Sequence, residues 1–481
     1  MPWKESNYNI HVELRRGRRL LYNSLSRSTC ILEPADLELL SRATSGDLSD
    51  SAEDRSGLDQ LAQQGFVYPR EVDELSVVKN LYQQTRFNPG SIALTICPTL
   101  ACNFGCDYCF QGKEKSTELM SEEVQDGIVA LFRRSLAETP QVNLVQFMWY
   151  GGEPLLKRNV IYALSERLTA ICHEKGLTYT ASMVSNGHRL NREVAERMYA
   201  LGLRQVQITL DGPQEHHDRR RHLLNGKGSY GQIVSNMSEW IDAVPIQVNL
   251  RVNIDERNRN DITRLIDDLA ERGFAGKPNF KMYFAPVESV TRGCHSISEK
   301  MLKKMDYGRL EADIYRYGFD RKLSDIPYPP HFLGICNALR PKDFIVVPCG
   351  SIHKCWDTVS FADKKIGSVF DLDRLFGGSH PQQQKWDQFD PFTNETCRAC
   401  KILPNCASFC AHKFIHAADT VGEATLPCPS LKYSIKEKLV LTAEKSGHIT
   451  RDDYDAEAIR TNPKELCTEE FDKEKYVRRY Q

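Results

Sequence analysis

Three cysteines on one short stretch constrain this chain more than any other feature of its sequence. Cys102, Cys106 and Cys109 follow the spacing CxxxCxxC. Three thiolates at this spacing can hold three irons of a [4Fe–4S] cluster and leave the fourth iron open to a small molecule that carries an amine and a carboxylate. A zinc site would need a fourth ligand nearby. The stretch from Phe110 to Arg134 contains no Cys or His, so the spacing favours the cluster over zinc.

Composition sets broad limits on the class of protein. The 481 residues suggest about three domains, and 41% hydrophobic with 26% charged residues is ordinary for a globular protein. A net charge of −1 gives no bulk field that would attract nucleic acid or an anionic membrane. No apolar run approaches the ~20 residues of a membrane span, and the first five residues, Met1 to Glu5, lack the apolar stretch of a signal peptide. We therefore expect a cytoplasmic protein with neither a nucleic-acid nor a membrane partner.

Sixteen cysteines in such a chain favour metal ligation over disulfides. Most of them fall into two spaced groups, the loop above and a second group between residues 336 and 428. The cysteines outside the groups are Cys30, Cys97, Cys172, Cys294, Cys349 and Cys467. We expect them to be small buried hydrophobic residues.

Residues 1–85 are predicted to form a small separate domain. Alternating apolar residues separated by an arginine-rich turn predict a β-hairpin, and Pro34 predicts a helix start. The predicted elements, in order, are a strand over 8–14, a turn over 15–19, a strand over 20–23, a helix from Pro34, a loop over 44–57, a short helix around Leu58 and Leu61, and a strand over 65–68.

Residues 86–320 alternate strand and helix patterns. The strand candidates are Ile92–Cys97, Leu144–Tyr150, Thr180–Ser185, Val206–Leu210, Val248–Ile254 and Lys281–Pro286, with helices such as Ser121–Leu136 and Arg192–Leu201 between them. Strands joined by crossover helices predict a parallel sheet, and six strands fall short of the eight of a closed barrel. Ligands of such sheets bind at the carboxyl ends of the strands, which is where the cysteine loop follows the first strand.

Polar motifs stand at the ends of the next four strands. Each single residue could simply cap a loop, but the ordered set indicates a binding site, in which glycine lets the backbone approach a ligand closely. The motifs are Gly151-Gly152-Glu153-Pro154, Ser185-Asn186-Gly187, Leu210-Asp211-Gly212-Pro213 with His217-Asp218 and Arg221 after it, and Arg251 with Asn253 on the fifth strand.

The second cysteine group defines the segment 321–445. Cys336 is followed by thirteen residues, Gly350, four residues and Cys355; the pattern CxxCx5CxxxC then runs from Cys397 through Cys400 and Cys406 to Cys410, and Cys428 closes the group. Beyond it, residues 446–481 are strongly charged. We expect this tail to be a partly disordered surface extension.

The cysteine loop, with the aromatic Tyr108 before its last cysteine, resembles the radical SAM superfamily. The resemblance implies a partial (β/α)6 barrel that binds a [4Fe–4S] cluster and S-adenosylmethionine (SAM), whose reductive cleavage gives a 5′-deoxyadenosyl radical. It also implies that Gly151, Gly152 and Glu153 meet the SAM amino group. Polar residues at the following strand ends would hold the ribose and carboxylate, and these are Ser185, Asn186, Asp211 and Arg251. Tyr108 and Phe110 would pack either on the adenine or in the core.

The seven cysteines of the second group match the SPASM domain pattern, which implies two auxiliary [4Fe–4S] clusters and three clusters in total. By resemblance, the outer cluster takes Cys397, Cys400, Cys406 and Cys428, and the inner cluster takes Cys336, Cys355 and Cys410. The fourth inner ligand is left open between Cys349, Cys294 and a site free for substrate. Sulfatase maturases have a further cysteine six positions before Cys336, where this chain has Pro330.

The pattern DGPxxxHDxxR with Gly228-Ser229-Tyr230 resembles the subgroup of anaerobic sulfatase maturases and peptide maturases. Sulfatase maturases place their proposed base, an aspartate, directly after the cysteine that matches Cys355. Here Trp356 takes that place and Asp357 follows. A slip of one residue turns a side chain away if the segment is extended, and no catalytic residue is assigned.

Residues 1–85 resemble the winged-helix domain with which many peptide-modifying enzymes bind a leader peptide by strand pairing; the alternative is a plain β/α cap. We therefore expect a radical SAM peptide maturase that crosslinks a ribosomally made precursor through a thioether, C–C or C–O bond. Its partners would be that precursor with its leader and an electron donor such as flavodoxin or ferredoxin. The alternatives are formylglycine formation on a sulfatase, a small-molecule substrate, and a non-catalytic electron relay, for which the strand-end motifs would have no use.

Overall fold

The first part of the chain builds two small antiparallel sheets. The computed structural model describes residues 3–49, 51–325, 329–332, 336–469 and 471–480. Strands β2, β3 and β4 form one sheet in that order, and β1 pairs with β5 in the other. The predicted hairpin and closing strand are therefore present. The bounds are β1 Trp3–Glu5, β2 Asn9–Glu13, β3 Arg19–Asn23, β4 Thr29–Leu32 and β5 Val67–Pro69.

Three helices complete this part, Pro34–Ser45, Ala52–Gln63 and Glu74–Arg86. The predicted loop over 44–57 is wrong in its second half, because the second helix already begins at Ala52. The Ser51 side chain caps that helix by accepting from the Asp54 amide. Its first turn is acidic and polar, so apolar periodicity did not reveal it.

The middle of the chain forms the expected six parallel strands with helices between them. The strands are hydrogen-bonded in consecutive order, which confirms an α/β fold with the mostly parallel sheet typical of a radical SAM partial barrel. The bounds are β6 Ser91–Ile96, β7 Leu144–Trp149, β8 Thr178–Val184, β9 Leu203–Thr209, β10 Gln247–Ile254 and β11 Phe280–Pro286. The helices are Glu122–Glu138, Arg158–Glu174, Arg192–Ala200, Gln214–Arg220, Tyr230–Trp240 and Ile262–Glu271.

The sheet continues across the expected domain boundary near residue 320. β12 (Phe344–Val346) adds to β6 in parallel, and β13 (Ser351–His353) and β14 (Gly367–Ser368) follow in antiparallel order. The cysteine-rich segment is thus built onto the edge of the central sheet. Its helices and those that flank it are Lys304–Asp320, Leu372–Phe376, Pro381–Asp387, Glu395–Arg398, Leu403–Cys406, His412–Ile415, Ile435–Lys445, Pro463–Leu466 and Lys473–Tyr480.

The charged C-terminal segment packs onto the body of the protein, so the expected surface extension is wrong for most of it. Tyr454 and Leu466 are buried in one apolar cluster with Ile10 and Val12 of β2. Tyr476 is buried further along, against the main core. These apolar residues are spaced singly among charged ones that face solvent, and the average composition therefore hid them.

The main core lies between the central sheet and the helices that cover it. Val145, Val206 and Val248 of the strands are fully buried there, together with the large rings of Trp149 and Trp240. Within the described ranges, no helix is both long and apolar enough to cross a membrane.

Candidate functional site

The loop of Cys102, Cys106 and Cys109 begins a few residues after β6. These thiols are close enough to act on one another's ionisation, and burial raises the pKa of Cys106 to about 12. The Cys102 sulfur accepts from the Phe104 amide at 3.4 Å, and the Cys109 sulfur accepts from Lys115 Nζ at 2.7 Å. Such donors suit thiolates bound to iron. The loop therefore fits a cluster whose irons are bound by the three thiolates, with loss of the thiol protons on binding.

The two glycines after β7 lie directly against the backbone that leads into this loop. At Gly151, where φ is +126°, a Cβ atom would stand 2.1 Å from the Thr99 carbonyl oxygen. At Gly152 it would stand 2.2 Å from the Ala101 carbonyl oxygen. Only glycine allows this approach. The glycines thus position the cysteine loop itself, and their contact with SAM stays a prediction.

Glu153 joins the ends of β7 and β8. Its carboxylate is fully buried and accepts from the amides of Leu155 and Asn186, at 3.0 and 2.7 Å, and from the Ser185 hydroxyl at 3.0 Å. Burial raises the pKa of Glu153, although these donors oppose the shift. Asn186 also donates to Asn103 Oδ1 at 2.9 Å. The predicted residues Glu153, Ser185 and Asn186 are therefore brought together beside the cysteine loop.

Tyr108 connects the cysteine loop to the ends of β9 and β10. Its hydroxyl donates to Asp211 and accepts from Arg221 Nη1 at 2.7 Å and from Asn253 Nδ2 at 3.2 Å. Asp211, which is fully buried, also accepts from the Asn253 amide at 3.0 Å. The Arg220 guanidinium lies over the Tyr108 ring, 4.9 Å from its centroid. Tyr108 is therefore held by hydrogen bonds and a cation–π contact that the sequence did not reveal.

Two more side chains complete this edge of the sheet. Arg251 Nε donates to Asn253 Oδ1 at 2.7 Å, and its guanidinium lies 5.8 Å from the centroid of the Tyr283 ring. Gln111 donates to the Gly151 carbonyl oxygen at 3.0 Å, while its buried Oε1 has no hydrogen-bond partner among the described residues. An unpaired buried acceptor next to the cysteine loop fits a site that awaits a ligand. Sequence reasoning missed Gln111, although it stands only two residues after Cys109.

Cys336, Cys355 and Cys410 come together as the inner group predicted from the sequence. After burial and Asp357, Cys410 and Cys336 also raise the pKa of Cys355, and burial raises the pKa of Cys410 to about 12. Asp357 Oδ2 lies 3.8 Å from the Cys355 sulfur. The expected turning away of Asp357 does not occur, because a 3-10 turn starts at Trp356 and the segment is not extended.

Cys397, Cys406 and Cys428 come together as the outer group, with Cys400 beside them. Cys400 lies beside Cys467, whose thiol donates to the Thr396 carbonyl oxygen at 3.2 Å, and the interaction with Cys400 lowers the pKa of Cys467. Cys467 is buried as expected, but it also lies against the outer group, which the sequence did not indicate. The cysteine spacing could not predict this contact, because it depends on how two distant segments pack. The Leu466 carbonyl oxygen accepts from the Lys401 amide at 2.9 Å, which brings Cys467 next to Cys400.

The remaining cysteines divide between core and surface. Cys97, Cys172 and Cys294 are buried as expected, and Cys30 is half-buried in the N-terminal part. Cys349 is exposed, so the expectation of burial is wrong there.

Comparison with known proteins identifies the family. Residues 96–269 match the family model described as the radical SAM superfamily. The chain is 23% identical over 349 residues to the cysteine-type anaerobic sulfatase-maturating enzyme of Clostridium novyi, an alignment that covers 66% of this chain and 88% of the relative. It is 25% identical over 240 residues to the Fe-coproporphyrin III synthase of Methanosarcina barkeri. That alignment covers 50% of this chain and only 54% of the relative.

Solved structures share the fold at lower identity. The structure of anSMEcpe with bound AdoMet matches with a TM-score of 0.54 and 19% identity, over 74% of this chain and 98% of that one. SuiB of Streptococcus suis bound to its precursor peptide SuiA matches with a TM-score of 0.50 and 14% identity, over 89% of this chain and 99% of that one. The family implies SAM and a [4Fe–4S] cluster, which the cysteine loop and the strand ends fit. Residues 96–269 thus make the chain a radical SAM enzyme, and it is similar to anaerobic sulfatase-maturating enzymes in sequence and to anSMEcpe and SuiB in fold.

Proposed function

We propose that this enzyme modifies a ribosomally made precursor peptide and forms an intramolecular crosslink in it. The observation that carries the proposal is the small sheet β2–β3–β4, whose strand β4 stands at an edge and whose Ile31 packs against the same apolar cluster as Cys400 and Cys406. The match to SuiB supports it, since that structure holds a precursor peptide and covers 89% of this chain, against 74% for anSMEcpe.

An edge strand can receive a peptide by strand addition. Within the described ranges, β4 pairs only with β3. Its residues Cys30 and Leu32 pack towards one apolar cluster and Ile31 towards another, so the strand is anchored on both faces. An anchored strand with a free edge offers its main chain to a leader peptide, and neighbouring side chains supply selectivity. We propose residues 1–85 as the recognition domain on this ground.

The N-terminal sheet is docked onto the loop of the outer cysteine group. Lys401, next to Cys400, donates from Nζ to the Asn9 carbonyl oxygen at 3.2 Å, and its own carbonyl oxygen accepts from the Ser24 hydroxyl. Asn405 Nδ2 donates to the Tyr22 hydroxyl oxygen at 3.1 Å. A leader held by this sheet would therefore be attached to the same rigid body as the cysteine sites.

The proposal includes three clusters, and the donor sets fit them. Cys102, Cys106 and Cys109 hold the SAM-binding cluster; Cys336, Cys355 and Cys410 hold an inner auxiliary cluster; and Cys397, Cys400, Cys406 and Cys428 hold an outer one. With SAM bound and an electron delivered by a flavodoxin or ferredoxin, the cofactors supply the radical that removes a hydrogen atom from the peptide. Bond formation would release one proton and one electron, and an auxiliary cluster held by the cysteines of the second group would be the acceptor for that electron. Glu153, Asp211 and Arg251 would position SAM at the strand ends.

The test uses the full-length chain, reconstituted without oxygen, with a short peptide encoded beside its gene. We expect tandem mass spectrometry to show a crosslink, and hydrogen exchange of residues 29–32 to slow when the leader alone is added. Residues 3–5 of β1, which pair with β5, serve as the internal control for exchange. Deletion of residues 1–85 is unsuitable, because Ile10 and Val12 share a core with the C-terminal segment. Unmodified peptide and unchanged exchange would contradict the proposal.

Formylglycine formation is the second candidate, and Asp357 is the observation that favours it. The carboxylate stays beside the Cys355 sulfur despite its shift by one position, so it could serve as a base there. Incubation with a sulfatase-derived peptide and trapping of an aldehyde by a hydrazide tests this function. If an aldehyde forms, and Asp357→Asn abolishes it while SAM cleavage persists, the second candidate replaces the first. If neither peptide reacts, a small-molecule substrate becomes the better account.

A further inference from the structure

The inner cysteine group has three thiols, and none of the cysteines outside the two groups supplies a fourth. Cys349 is exposed and donates to the Ser351 hydroxyl oxygen at 3.3 Å. Cys294 is buried elsewhere, where its thiol donates to the Thr291 carbonyl oxygen at 3.3 Å. Pro330 stands where related enzymes have their further cysteine. A [4Fe–4S] cluster at this site therefore needs a ligand of another kind or keeps one iron open.

His412 lies at this site with one nitrogen already committed. A ring nitrogen of His412 lies within 4.8 Å of both the Cys355 sulfur and a carboxylate oxygen of Asp357. The residue is 1% exposed. Its Nε2 lies 3.0 Å from the Val290 carbonyl oxygen. Because a carbonyl oxygen can only accept, Nε2 carries the proton, and the lone pair of the neutral ring is on Nδ1.

That Nδ1 is buried and has no hydrogen-bond partner among the described residues. An unpaired buried acceptor is costly, and it calls for an occupant. Histidines that bind metals commonly donate their other ring N–H to a backbone carbonyl, which fixes the ring and directs the free nitrogen to the metal. The bond to Val290 gives His412 this arrangement, and its neighbours Cys410 and Cys355 are both assigned to the inner cluster.

Asp357 and Lys413 are polar groups nearby that have partners, whereas the buried Nε2 of the adjacent His416 ring has none among the described residues. The Asp357 carboxylate accepts from the Cys355 thiol. Lys413, the next residue after His412, donates to Glu288 at 2.7 Å. His412 combines burial, an orientation fixed by the Val290 carbonyl oxygen and a free lone pair, and among the described residues it is the histidine that groups with Cys355 and Asp357.

We propose that His412 Nδ1 is the fourth ligand of the inner auxiliary cluster. The proposal rests on the inner cluster of the proposed function. Replacing a thiolate by a neutral imidazole makes the cluster less negative and so easier to reduce, as histidine ligation does in other iron–sulfur centres. It also closes the site, so that the substrate would not bind this cluster through an open iron.

Pulsed EPR of the reduced full-length protein tests the ligand directly. The protein is labelled with ¹⁵N-histidine, so that only histidine nitrogens carry the label. It is measured without SAM, so that the SAM amino group does not bind the cluster of the barrel. We expect a ¹⁵N coupling from an auxiliary cluster of the unaltered enzyme. His412→Cys should remove the coupling, keep the iron content and lower the midpoint potential, whereas His412→Ala should remove the coupling and leave the cluster labile. Absence of the coupling in the unaltered enzyme overturns the proposal even if the variants fail to fold.

Two controls separate the possible outcomes. His416, whose ring lies 5.0 Å from that of His412, is the matched control, and His416→Asn should keep the coupling. Asp357→Asn should keep it as well; loss of iron in this variant but not in His412→Ala would assign the ligand to Asp357 and overturn the proposal. The triple variant Cys336→Ala, Cys355→Ala, Cys410→Ala should lose about four irons. If it loses none, the inner cluster itself is absent, whereas a loss without any coupling in the unaltered enzyme refutes only His412.

Discussion

The ring of Trp356 stacks on that of Tyr150, with centroids 4.7 Å apart and an angle of 28° between the planes. Tyr150 in turn lies nearly parallel to Phe110, at 6.5 Å and 15°. Phe110 follows Cys109 directly, and Trp356 follows Cys355, so three rings connect the cysteine loop of the barrel to the inner cysteine group. Packing between these two sites explains why an indole stands at the position after Cys355.

Removing that indole should loosen the contact between the two sites. We expect Trp356→Ala to lose the stacking contribution of about 0.5–1.5 kcal/mol in addition to its buried area, which would lower the melting temperature. Trp356→Phe should retain most of the stability, because a smaller ring can still stack on Tyr150. Differential scanning fluorimetry of both variants measures the effect. An unchanged melting temperature for Trp356→Ala would show that the stack contributes nothing.

The cysteine loop of the barrel should account for all SAM cleavage. We expect the triple variant Cys102→Ala, Cys106→Ala, Cys109→Ala to lose about four irons and all 5′-deoxyadenosine formation, since this loop supplies the ligands of the SAM-binding cluster. Iron assay and chromatography of the reduced enzyme with SAM measure both. The control is Cys172→Ala, because Cys172 is buried in the barrel core. Retained cleavage in the triple variant would disprove the assignment of the loop.

Glu153 should affect SAM binding through its position between two strand ends. All hydrogen-bond partners of the Glu153 carboxylate are donors, namely the amides of Leu155 and Asn186 and the Ser185 hydroxyl. In Glu153→Gln, the side-chain NH2 group would point at one of these donors instead of accepting from it. We expect a loss of about 1–3 kcal/mol, seen as weaker SAM binding in equilibrium dialysis with unchanged iron content. Glu174→Gln, at the exposed end of a helix, is the matched control. Equal SAM affinity in both variants would remove Glu153 from the site.

Cys467 should be able to replace its neighbour Cys400 in the outer cysteine group. We expect Cys400→Ala alone to keep most of its iron, because the Cys467 thiol is within reach of the same site. The double variant Cys400→Ala, Cys467→Ala should lose about four irons. Cys30→Ala, in the N-terminal part, serves as the control. Equal loss in the single and the double variant would show that Cys467 cannot ligate.

Glu288 should give the enzyme an acid-sensitive contribution to stability. Burial alone would raise the pKa of Glu288, but Lys304 and Lys413 at 3.0 and 2.7 Å bring it down from 4.5 to about 2. A lowered folded-state pKa stabilises the protein above about pH 4.5, and this contribution is lost as the pH falls towards 2. Glu288→Gln leaves two buried ammonium groups without their partner, which costs about 3–5 kcal/mol near neutral pH.

Thermal unfolding of Glu288→Gln and the unaltered enzyme across a pH series measures this difference. It should be largest near neutral pH and shrink below about pH 4.5. Glu299→Gln, which alters an exposed glutamate, should follow the unaltered enzyme at every pH. A constant difference between Glu288→Gln and the unaltered enzyme would show that Glu288 is not ionised in the folded state.

The central sheet could be predicted from the sequence because its signals are local. Each strand is a short apolar run ended by glycine or polar residues, and the crossover helices lie between them, so β6 to β11 were all located. The two cysteine groups could be located for the same reason, because their spacing is written in the chain. The helix Ala52–Gln63 was located only around Leu58 and Leu61, and its first half was missed because these two residues are the ones that give it an apolar side.

Contacts between distant parts of the chain could not be read in this way. The pairing of Cys400 with Cys467 and the place of His412 beside Cys355 depend on how separate loops pack. The hydrogen-bond partners of the Tyr108 hydroxyl, Asp211, Arg221 and Asn253, come from different strand ends or loops, and no spacing predicts them. Sequence patterns thus indicated which residues belong to the site, whereas their partners needed the three-dimensional structure.

The shared cluster of Ile10, Val12, Leu439 and Leu466 has a consequence for the order of synthesis on the ribosome. Strand β2 is made early, but the residues that cover it are made more than 400 positions later. Domains generally fold as units while the chain emerges, so the barrel, whose contacts are closer in sequence, can fold first. The N-terminal sheet then has to wait for the C-terminal helices. We therefore expect nascent chains to expose this sheet until Leu439 and Leu466 have been made, which makes it a target for chaperones during synthesis.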